Sequence, residues 1–165
     1  MQQEAFIIET VYGTSVENVW SAITNSKEMK QWYFDIPGFK PEPGFEFQFK
    51  SVPDEERQYR HNCQVIESKL FKKLSFTWQY SQYEEVTLVT FELFARPDGK
   101  THFRLMHEGL ESYPDSDPDF SRESFSDGWT WLIETALNTY LENAYKPVQQ
   151  ELAKVVGHFA EVGEQ

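Results

Sequence analysis

Apolar and polar positions along the chain follow a strand pattern, then a helical pattern, and then a strand pattern again. Residues 4–12 are rich in β-branched and aromatic side chains, which predicts a first strand. The Thr14–Glu17 pair then has the form of a capping box, and apolar residues recur behind it every three or four positions. We therefore predict a helix after this pair, and a second, short helix from Asn25 or Ser26 to about Tyr33.

A long stretch of alternating positions follows a loop that contains three prolines. Phenylalanines occupy every second position of residues 45–49, which places their rings on one face of a strand. The same period of two marks four further strands, at about residues 59–65, 74–80, 86–95 and 100–108. Pro97-Asp98-Gly99 lies between the last two and is a strong hairpin signal. The pattern predicts six antiparallel strands that are interrupted once, after the first, by helices.

Residues 110–119 are acidic and contain two prolines, so we predict a loop or lid there. Two starts are open for the helix that follows: Asp117 could cap a helix that begins with Pro118, or the helix could begin nearer Ser121. Beyond that point, apolar residues at three- and four-residue spacing predict one long amphipathic helix. Its predicted inner stripe is Phe125, Trp129, Leu132, Ala136, Tyr140 and Ala144.

Pro147 should end or restart this helix, and residues 148–160 have the pattern of a weak helix that contains Gly157. The chain shows no internal repeat and no linker between domains. We therefore predict a single domain at 1–145 and a C-terminal helical extension at 146–165.

The charge of the chain limits its partners. Fifteen basic and 27 acidic residues give a net charge of −12, which would repel a phosphate backbone or an anionic lipid surface. No apolar run is long enough to span a bilayer, and the N-terminus has no secretion signal, so we expect a cytoplasmic protein with no membrane insertion. A single cysteine, Cys63, excludes an internal disulfide and fits a reducing compartment.

Five segments occur in an order and at spacings that belong to a known family: TSVENVWSAITNSKEMKQWYFD, PGFEFQF, LSFTWQY, VTFELFARPDGKTHFRLMHEGL and GWTWLIETALNTYLE. Over about residues 5–143 the chain resembles the bacterial proteins similar to the activator of Hsp90 ATPase, within the START-like, SRPBCC or Bet v 1-like group. The resemblance implies an α+β helix-grip fold. In that fold a curved six-stranded antiparallel sheet wraps around a long C-terminal helix, and two short helices follow strand one.

The aromatic residues, 16% of the chain, are the main functional signal. Strand faces and the last helix should direct them into one interior, where they either surround an open ligand cavity or fill the core completely. If the cavity is open, we predict that it is lined by Trp32, Phe45, Phe47, Phe76, Trp78, Phe91, Phe103, Leu105, His107, Phe125 and Trp129.

His107 has the same strand parity as Phe103 and Leu105 and should point inward. It could contact the polar group of a ligand, or it could be a core histidine that is hydrogen-bonded to a neighbour. His61 and Cys63 lie two residues apart, which does not supply the ligand cluster that zinc requires. We therefore predict no metal, no cofactor and no catalytic residue.

Three functions remain open at this stage. The first is non-catalytic binding of a small hydrophobic or amphipathic ligand between the sheet and the C-terminal helix, with residues 110–119 as a lid. The resemblance also implies the other two: interaction with an Hsp90-type chaperone or a role in stress response, and a cyclase-like or hydrolase-like enzyme. A homodimer is possible in each case.

Overall fold

A computed structural model describes residues 4–51 and 59–145. The strands are β1 (Phe6–Tyr12), β2 (Glu46–Ser51), β3 (Tyr59–Lys69), β4 (Lys73–Tyr80), β5 (Val86–Ala95) and β6 (Thr101–Glu108). Two helices follow β1, namely α1 (Val16–Thr24) and α2 (Ser26–Trp32). After β6 come two short 3₁₀ turns, Leu110–Ser112 and Pro118–Phe120, and then a C-terminal helix built from α3 (Arg122–Thr130), a π-helical segment (Trp131–Leu137) and α4 (Asn138–Ala144).

The six strands form one antiparallel sheet in the order β1-β6-β5-β4-β3-β2. Strands β2 to β5 each pair with the next along the chain, whereas β1 pairs with β6, in a register that places Phe6 opposite His107. A register shift in β3 between Val65 and Glu67 marks a bulge, a feature that bends a strand. These elements confirm the predicted α+β helix-grip architecture.

The capping of α1 differs from the prediction by one residue. Ser15, and not Thr14, is the N-cap, and its hydroxyl accepts a hydrogen bond from the backbone N–H of Asn18 at 3.2 Å. The Thr14 hydroxyl instead accepts from the Asn18 side chain at 2.8 Å. The predicted capping box is therefore wrong, although the helix lies where it was expected. The second short helix begins at Ser26, one of its two predicted starts, and the Asn25 side chain caps its N-terminus.

The C-terminal helix buries a different stripe from the predicted one. Its buried residues are Phe125, Trp129, Ile133, Leu137 and Leu141, all four residues apart. The predicted stripe is correct for the first two positions and wrong afterwards, since Leu132, Ala136 and Tyr140 are half-buried and Ala144 is exposed. In an α-helix, four residues turn about 40° beyond a full circle. The π-helical segment has a wider turn, which compensates for that drift and keeps a four-residue repeat on one face.

The buried stripe packs against the inner face of the sheet. A buried hydrogen bond of 2.7 Å from the Tyr12 hydroxyl to the Ile133 carbonyl connects β1 to the π-helical segment. At the other end of the helix, the Glu28 carboxylate of α2 accepts hydrogen bonds from Tyr140 and Tyr145 at 2.8 and 2.7 Å. Hydrogen bonds thus hold the helix to β1 at its middle and to α2 at its C-terminal end. The predicted extension at 146–165 lies outside the described residues.

Candidate ligand-binding cavity

Packed side chains fill the middle of the space between sheet and helix. Phe91, Phe103 and Leu105 are at most 2% exposed. The Phe91 ring lies 5.5 Å from that of Phe103 and 6.2 Å from that of Trp129, distances at which aromatic rings are in direct contact. Of the two alternatives left open by the sequence, an open cavity or a filled core, this region has the filled core.

A cavity of about 300 Å³ lies beside this filled region, between β3, β4 and the first half of the C-terminal helix. Six rings form most of its wall: Phe34, Tyr59, Trp78, Tyr80, Phe125 and Trp129. Leu132 and Gly128 complete the helix side, and His61, Asp119 and Ser124 add polar groups. The cavity is therefore a partly open pocket with mainly aromatic walls and a few polar groups, a lining that is common in small-molecule sites.

Three of the predicted lining residues, Trp78, Phe125 and Trp129, are on the cavity wall. The other predicted positions do not line it and are buried or half-buried elsewhere: Trp32, Phe45, Phe47, Phe76, Phe91, Phe103, Leu105 and His107. Trp32 borders a separate groove on the outer side of the C-terminal helix, together with Trp131. The parity of the strands identified inward-facing residues, but it did not indicate at which end of the sheet the open space lies.

Phe34 and His61 are wall residues that the predicted lining does not include. Phe34 follows α2 in a segment without periodicity, and its ring stacks on Phe49 at 4.3 Å. No pattern in the sequence indicates this position. His61 shares its strand face with Cys63 and Val65, so its inward direction was predictable from parity, whereas its place at the cavity depends on how the helix crosses the sheet.

Both ring nitrogens of His107 are hydrogen-bonded inside the protein. The indole N–H of Trp129 donates to Nδ1 at 3.0 Å, and Nε2 lies 2.7 Å from the Thr87 hydroxyl. Because an indole nitrogen can only donate, Nδ1 is the acceptor, and in the neutral ring the proton lies on Nε2, which donates to Thr87. The Thr87 hydroxyl in turn donates to the Trp78 carbonyl at 3.0 Å.

His107 is therefore a core histidine that orients Trp129, one of the cavity walls. The residue is fully buried, and burial lowers its pKa from 6.5 to about 3, so the ring stays neutral at pH 7. Of the two roles considered from the sequence, this geometry is that of the hydrogen-bonded core residue.

His61 differs from His107 in its hydrogen bonding. Its ring stacks on Phe49 at 4.3 Å and meets Trp78 edge-on at 4.7 Å. Burial lowers its pKa to about 4, and the backbone of Phe49 and Tyr59 opposes only part of this effect. Both His61 Nδ1 and Trp78 Nε1 are buried, and hydrogen bonding from the Trp78 side chain lowers the pKa of Tyr80 against the larger effect of burial.

Residues 110–120 lie next to the cavity, and Asp119 is the residue of this segment that lines it. The Tyr83 hydroxyl donates to the Asp117 carboxylate at 2.8 Å, and the Tyr59 hydroxyl donates to Asp119. Phe120 packs edge-on against Tyr80 at 4.5 Å. The predicted loop is therefore packed against the strands. Of the two helix starts left open by the sequence, the one near Ser121 is correct, since Ser121 caps α3, whereas Asp117 caps only the separate 3₁₀ turn that begins with Pro118.

Residues 4–51 and 59–145 include no group of three or more histidine, cysteine, aspartate or glutamate side chains that could hold a metal ion. None of the helices described here is long and apolar enough to cross a membrane.

An antiparallel sheet that packs on a C-terminal helix, with an aromatic cavity beside their contact, defines a START-like helix-grip domain. The family model for "Activator of Hsp90 ATPase homolog 1-like protein" matches residues 13–142, and the chain belongs to this family. The resemblance stated from the sequence is thereby confirmed. Among proteins with curated functional descriptions, none matches this chain.

Solved structures agree with this assignment at the level of the fold. Protein MLL2253 from Mesorhizobium loti is 24% identical with a TM-score of 0.66, and the match covers 85% of this chain and 98% of that protein. Protein BH1534 from Bacillus halodurans is 25% identical with a TM-score of 0.65, covering 84% and 97%. DynU16, from the dynemicin biosynthetic locus, is 17% identical with a TM-score of 0.68, covering 88% of this chain and 49% of DynU16.

Proposed function

We propose that this protein binds a small hydrophobic or amphipathic ligand in the cavity, without converting it chemically. The observation that carries the proposal is the contrast within one interior. The rings of β5 and β6 pack against the helix, whereas the rings of β3, β4 and α3 surround about 300 Å³ of space. A gap that is walled by rings and open to solvent can take up an apolar ligand, because binding removes the surface of both from water.

The wall chemistry supports an apolar ligand of modest size. A volume of about 300 Å³ is at the lower end of what ligand pockets enclose, roughly 300–1,000 Å³. Flat aromatic walls bury apolar surface and stack well on rings. A ligand of one or two fused rings, or a short branched chain, fits this description.

Two titratable groups of the described wall, His61 and Tyr80, favour binding over catalysis. Burial lowers the pKa of His61 to about 4 and raises the pKa of Tyr80, so both groups stay uncharged at pH 7. General acid–base catalysis works best with a group whose pKa lies near the working pH. This pair is thus better suited to hydrogen-bond a ligand than to move protons.

A substitution that fills the cavity tests the proposal. Gly128 is an exposed residue on the wall, and a Cβ atom added there meets no described atom within 4 Å apart from its chain neighbours and its own helix backbone. We expect Gly128→Leu to fold normally and to lose ligand binding, because its side chain would occupy the space. Asp127→Leu, an exposed neighbour outside the wall, is the matched control and should bind as the wild type does.

Native mass spectrometry of the protein purified from the cells that naturally produce it identifies a retained ligand. Titration with a panel of ring compounds and short lipids then measures affinity through the fluorescence of Trp78 and Trp129. Binding that survives in Gly128→Leu as in Asp127→Leu would place the ligand elsewhere and refute the proposal.

Interaction with an Hsp90-type chaperone stays a second prediction, favoured by the family description that residues 13–142 match. It is measured by the ATPase rate of a bacterial Hsp90 with and without this protein. A change in that rate that Gly128→Leu retains would indicate a partner surface separate from the cavity.

A further inference from the structure

We infer that the outer edge of β2 is a docking surface for a second copy of this chain. β2 of one copy would lie antiparallel to β2 of the other, so that the two sheets continue into each other. The register is centred on Gln48 and places Glu46 of each copy opposite Lys50 of the other. The inference concerns an interface between chains and does not depend on the proposed ligand binding.

β2 lies at one end of the sheet. It is the last strand in the order β1-β6-β5-β4-β3-β2, and among the described residues its only strand partner is β3. An edge strand presents a row of unpaired backbone N–H and C=O groups that can pair with a strand of another chain. The side chains of Glu46, Gln48 and Lys50 on this strand are exposed. β2 is therefore in a position to accept a further strand.

The hydrogen-bond pattern identifies the backbone groups of β2 that are available to a partner. The Phe45 carbonyl accepts a hydrogen bond from the Val65 N–H at 2.9 Å, so Phe45 bonds towards β3. In an antiparallel strand, such residues alternate with residues whose backbone groups point to the opposite side. Glu46, Gln48 and Lys50 therefore direct their N–H and C=O groups outward. No backbone hydrogen bond from another described segment reaches these three residues.

The sequence of β2 is complementary to itself in the proposed register. From Glu46 to Lys50 it reads Glu-Phe-Gln-Phe-Lys, which is symmetric about Gln48 except that its two ends carry opposite charges. Pairing about Gln48 brings outward-bonding residues opposite each other, so that Glu46 and Lys50 of different copies meet twice. Opposite charges in directly facing positions stabilise a sheet, and like charges destabilise it. A register centred on Phe47 or Phe49 forms neither charge pair.

Both charges are available for such a contact. Neither Glu46 nor Lys50 is a member of an ion pair between described residues. Charged side chains on an edge strand normally oppose pairing with other chains. Here the two charges oppose strands of other sequence and favour this one, which makes the edge selective for a second copy.

The opposite edge of the sheet, β1, lacks these features. The Arg122 guanidinium of α3 donates to the carbonyls of Glu4 and Ala5 at 2.8 and 3.2 Å, so a helix residue already binds the chain that leads into this edge. Glu9 is the middle residue of Phe6–Tyr12, and this strand contains no basic residue. Self-pairing about Glu9 would place two carboxylates opposite each other. Of the two edges, only β2 is complementary to itself.

Charge reversal in the full chain tests the pairing. We expect analytical ultracentrifugation at physiological ionic strength to show a concentration-dependent dimer of the wild type. Lys50→Glu places like negative charges opposite each other, and Glu46→Lys does so with positive charges. Each variant alone should therefore raise the dissociation constant of the dimer by about tenfold or more. An equimolar mixture of the two variants restores opposite charges at both pairs, and it should associate about as tightly as the wild type.

Matched controls separate this contact from the effect of net charge. Lys100→Glu and Glu84→Lys make the same charge changes at exposed residues outside β2, and both should dimerise as the wild type does. Urea unfolding of each variant reports whether it folds. Hydrogen exchange of the wild type tests the inference without any variant, because the amides of β2 should exchange more slowly as the protein concentration rises.

Three results would overturn the inference. They are a wild type that stays monomeric at all concentrations, β2 amides whose exchange does not depend on concentration, and a mixture of the two variants that associates no better than either variant alone. A dimer that Lys50→Glu and Glu46→Lys both retain would also overturn it, because the contact would then lie elsewhere. Ligand binding is measured separately with Gly128→Leu, so these results leave the proposed function unaffected.

Discussion

The two buried histidines make the stability of the folded protein depend on pH above the range in which carboxylates titrate. Burial lowers the pKa of His61 from 6.5 to about 4 and that of His107 to about 3. Below pH 6.5, the unfolded chain therefore binds a proton at each imidazole that the folded chain does not bind. The free energy of unfolding has its full value above pH 6.5, and it falls as the pH decreases towards the pKa values of the two histidines in the folded protein.

The same pKa values give the size of this loss in the free energy of unfolding. Each histidine contributes about 1.4 kcal/mol per pH unit below pH 6.5, so that at pH 5 each has lowered the free energy of unfolding by about 2 kcal/mol. Together they remove about 4 kcal/mol, a large part of the roughly 5–15 kcal/mol that a typical domain possesses. This loss precedes the protonation of ordinary carboxylates near pH 4.

Urea denaturation at several pH values between 7 and 5 measures this effect. His61→Phe should about halve the dependence on pH, because only His107 then contributes. His102→Gln removes an imidazole that is hydrogen-bonded to Glu9 on the exposed face of the sheet, and it is the control for the loss of a histidine outside the core. A free energy of unfolding that is constant from pH 6.5 to pH 5 would show that neither ring is held neutral by the fold and would refute the reasoning.

Three further predictions concern single side chains. Gly128→Ala should raise the free energy of unfolding by about 0.5–1 kcal/mol, because alanine favours the helix and its Cβ meets no described atom within 4 Å beyond its chain neighbours and its own helix backbone. A lower free energy of unfolding in urea would show that the added methyl group does not fit. Tyr145→Phe should lower it by about 1 kcal/mol, since it removes the 2.7 Å hydrogen bond to Glu28, and an unchanged urea midpoint would argue against that contact. Burial raises the pKa of Cys63 to about 12, so its thiol should react with a disulfide reagent only after unfolding, and rapid reaction of the native protein would contradict its burial.

The sequence predicted the strands well because one face of the sheet is buried and the other is exposed to solvent. Phe47 and Phe49 are buried while Glu46, Gln48 and Lys50 are exposed, so the period of two is visible without any knowledge of partners. The order of helices and strands then leaves few ways to cover the inner face. Resemblance to the family added the curvature and the position of the long helix.

The cavity could be predicted only in part, because it depends on distances that a one-dimensional pattern does not contain. Trp78, Phe125 and Trp129 were expected on its wall, but the same reasoning placed Phe103 and Leu105 there, and both are fully buried in the packed core instead. Parity tells which face a residue occupies but gives no information about the gap opposite that face. The shift of the helical stripe to Ile133 had no sequence signal either, since apolar residues occupy both Leu132 and Ile133.

The π-helical segment also determines how the C-terminal helix tolerates changes in length. Such a segment is equivalent to an α-helix with one extra residue, so deleting a single residue within Trp131–Leu137 would restore α-helical winding and keep the later residues on nearly the same face. If the same residues wound as a regular α-helix without a deletion, everything beyond them would rotate by about 100°. Leu141 would then leave the core, and Tyr140 and Tyr145 would turn away from Glu28. The aromatic wall contributed by α3 would keep its orientation. The helix is thus divided into one part that shapes the cavity and another that anchors the fold, with the angle between them fixed by one surplus residue.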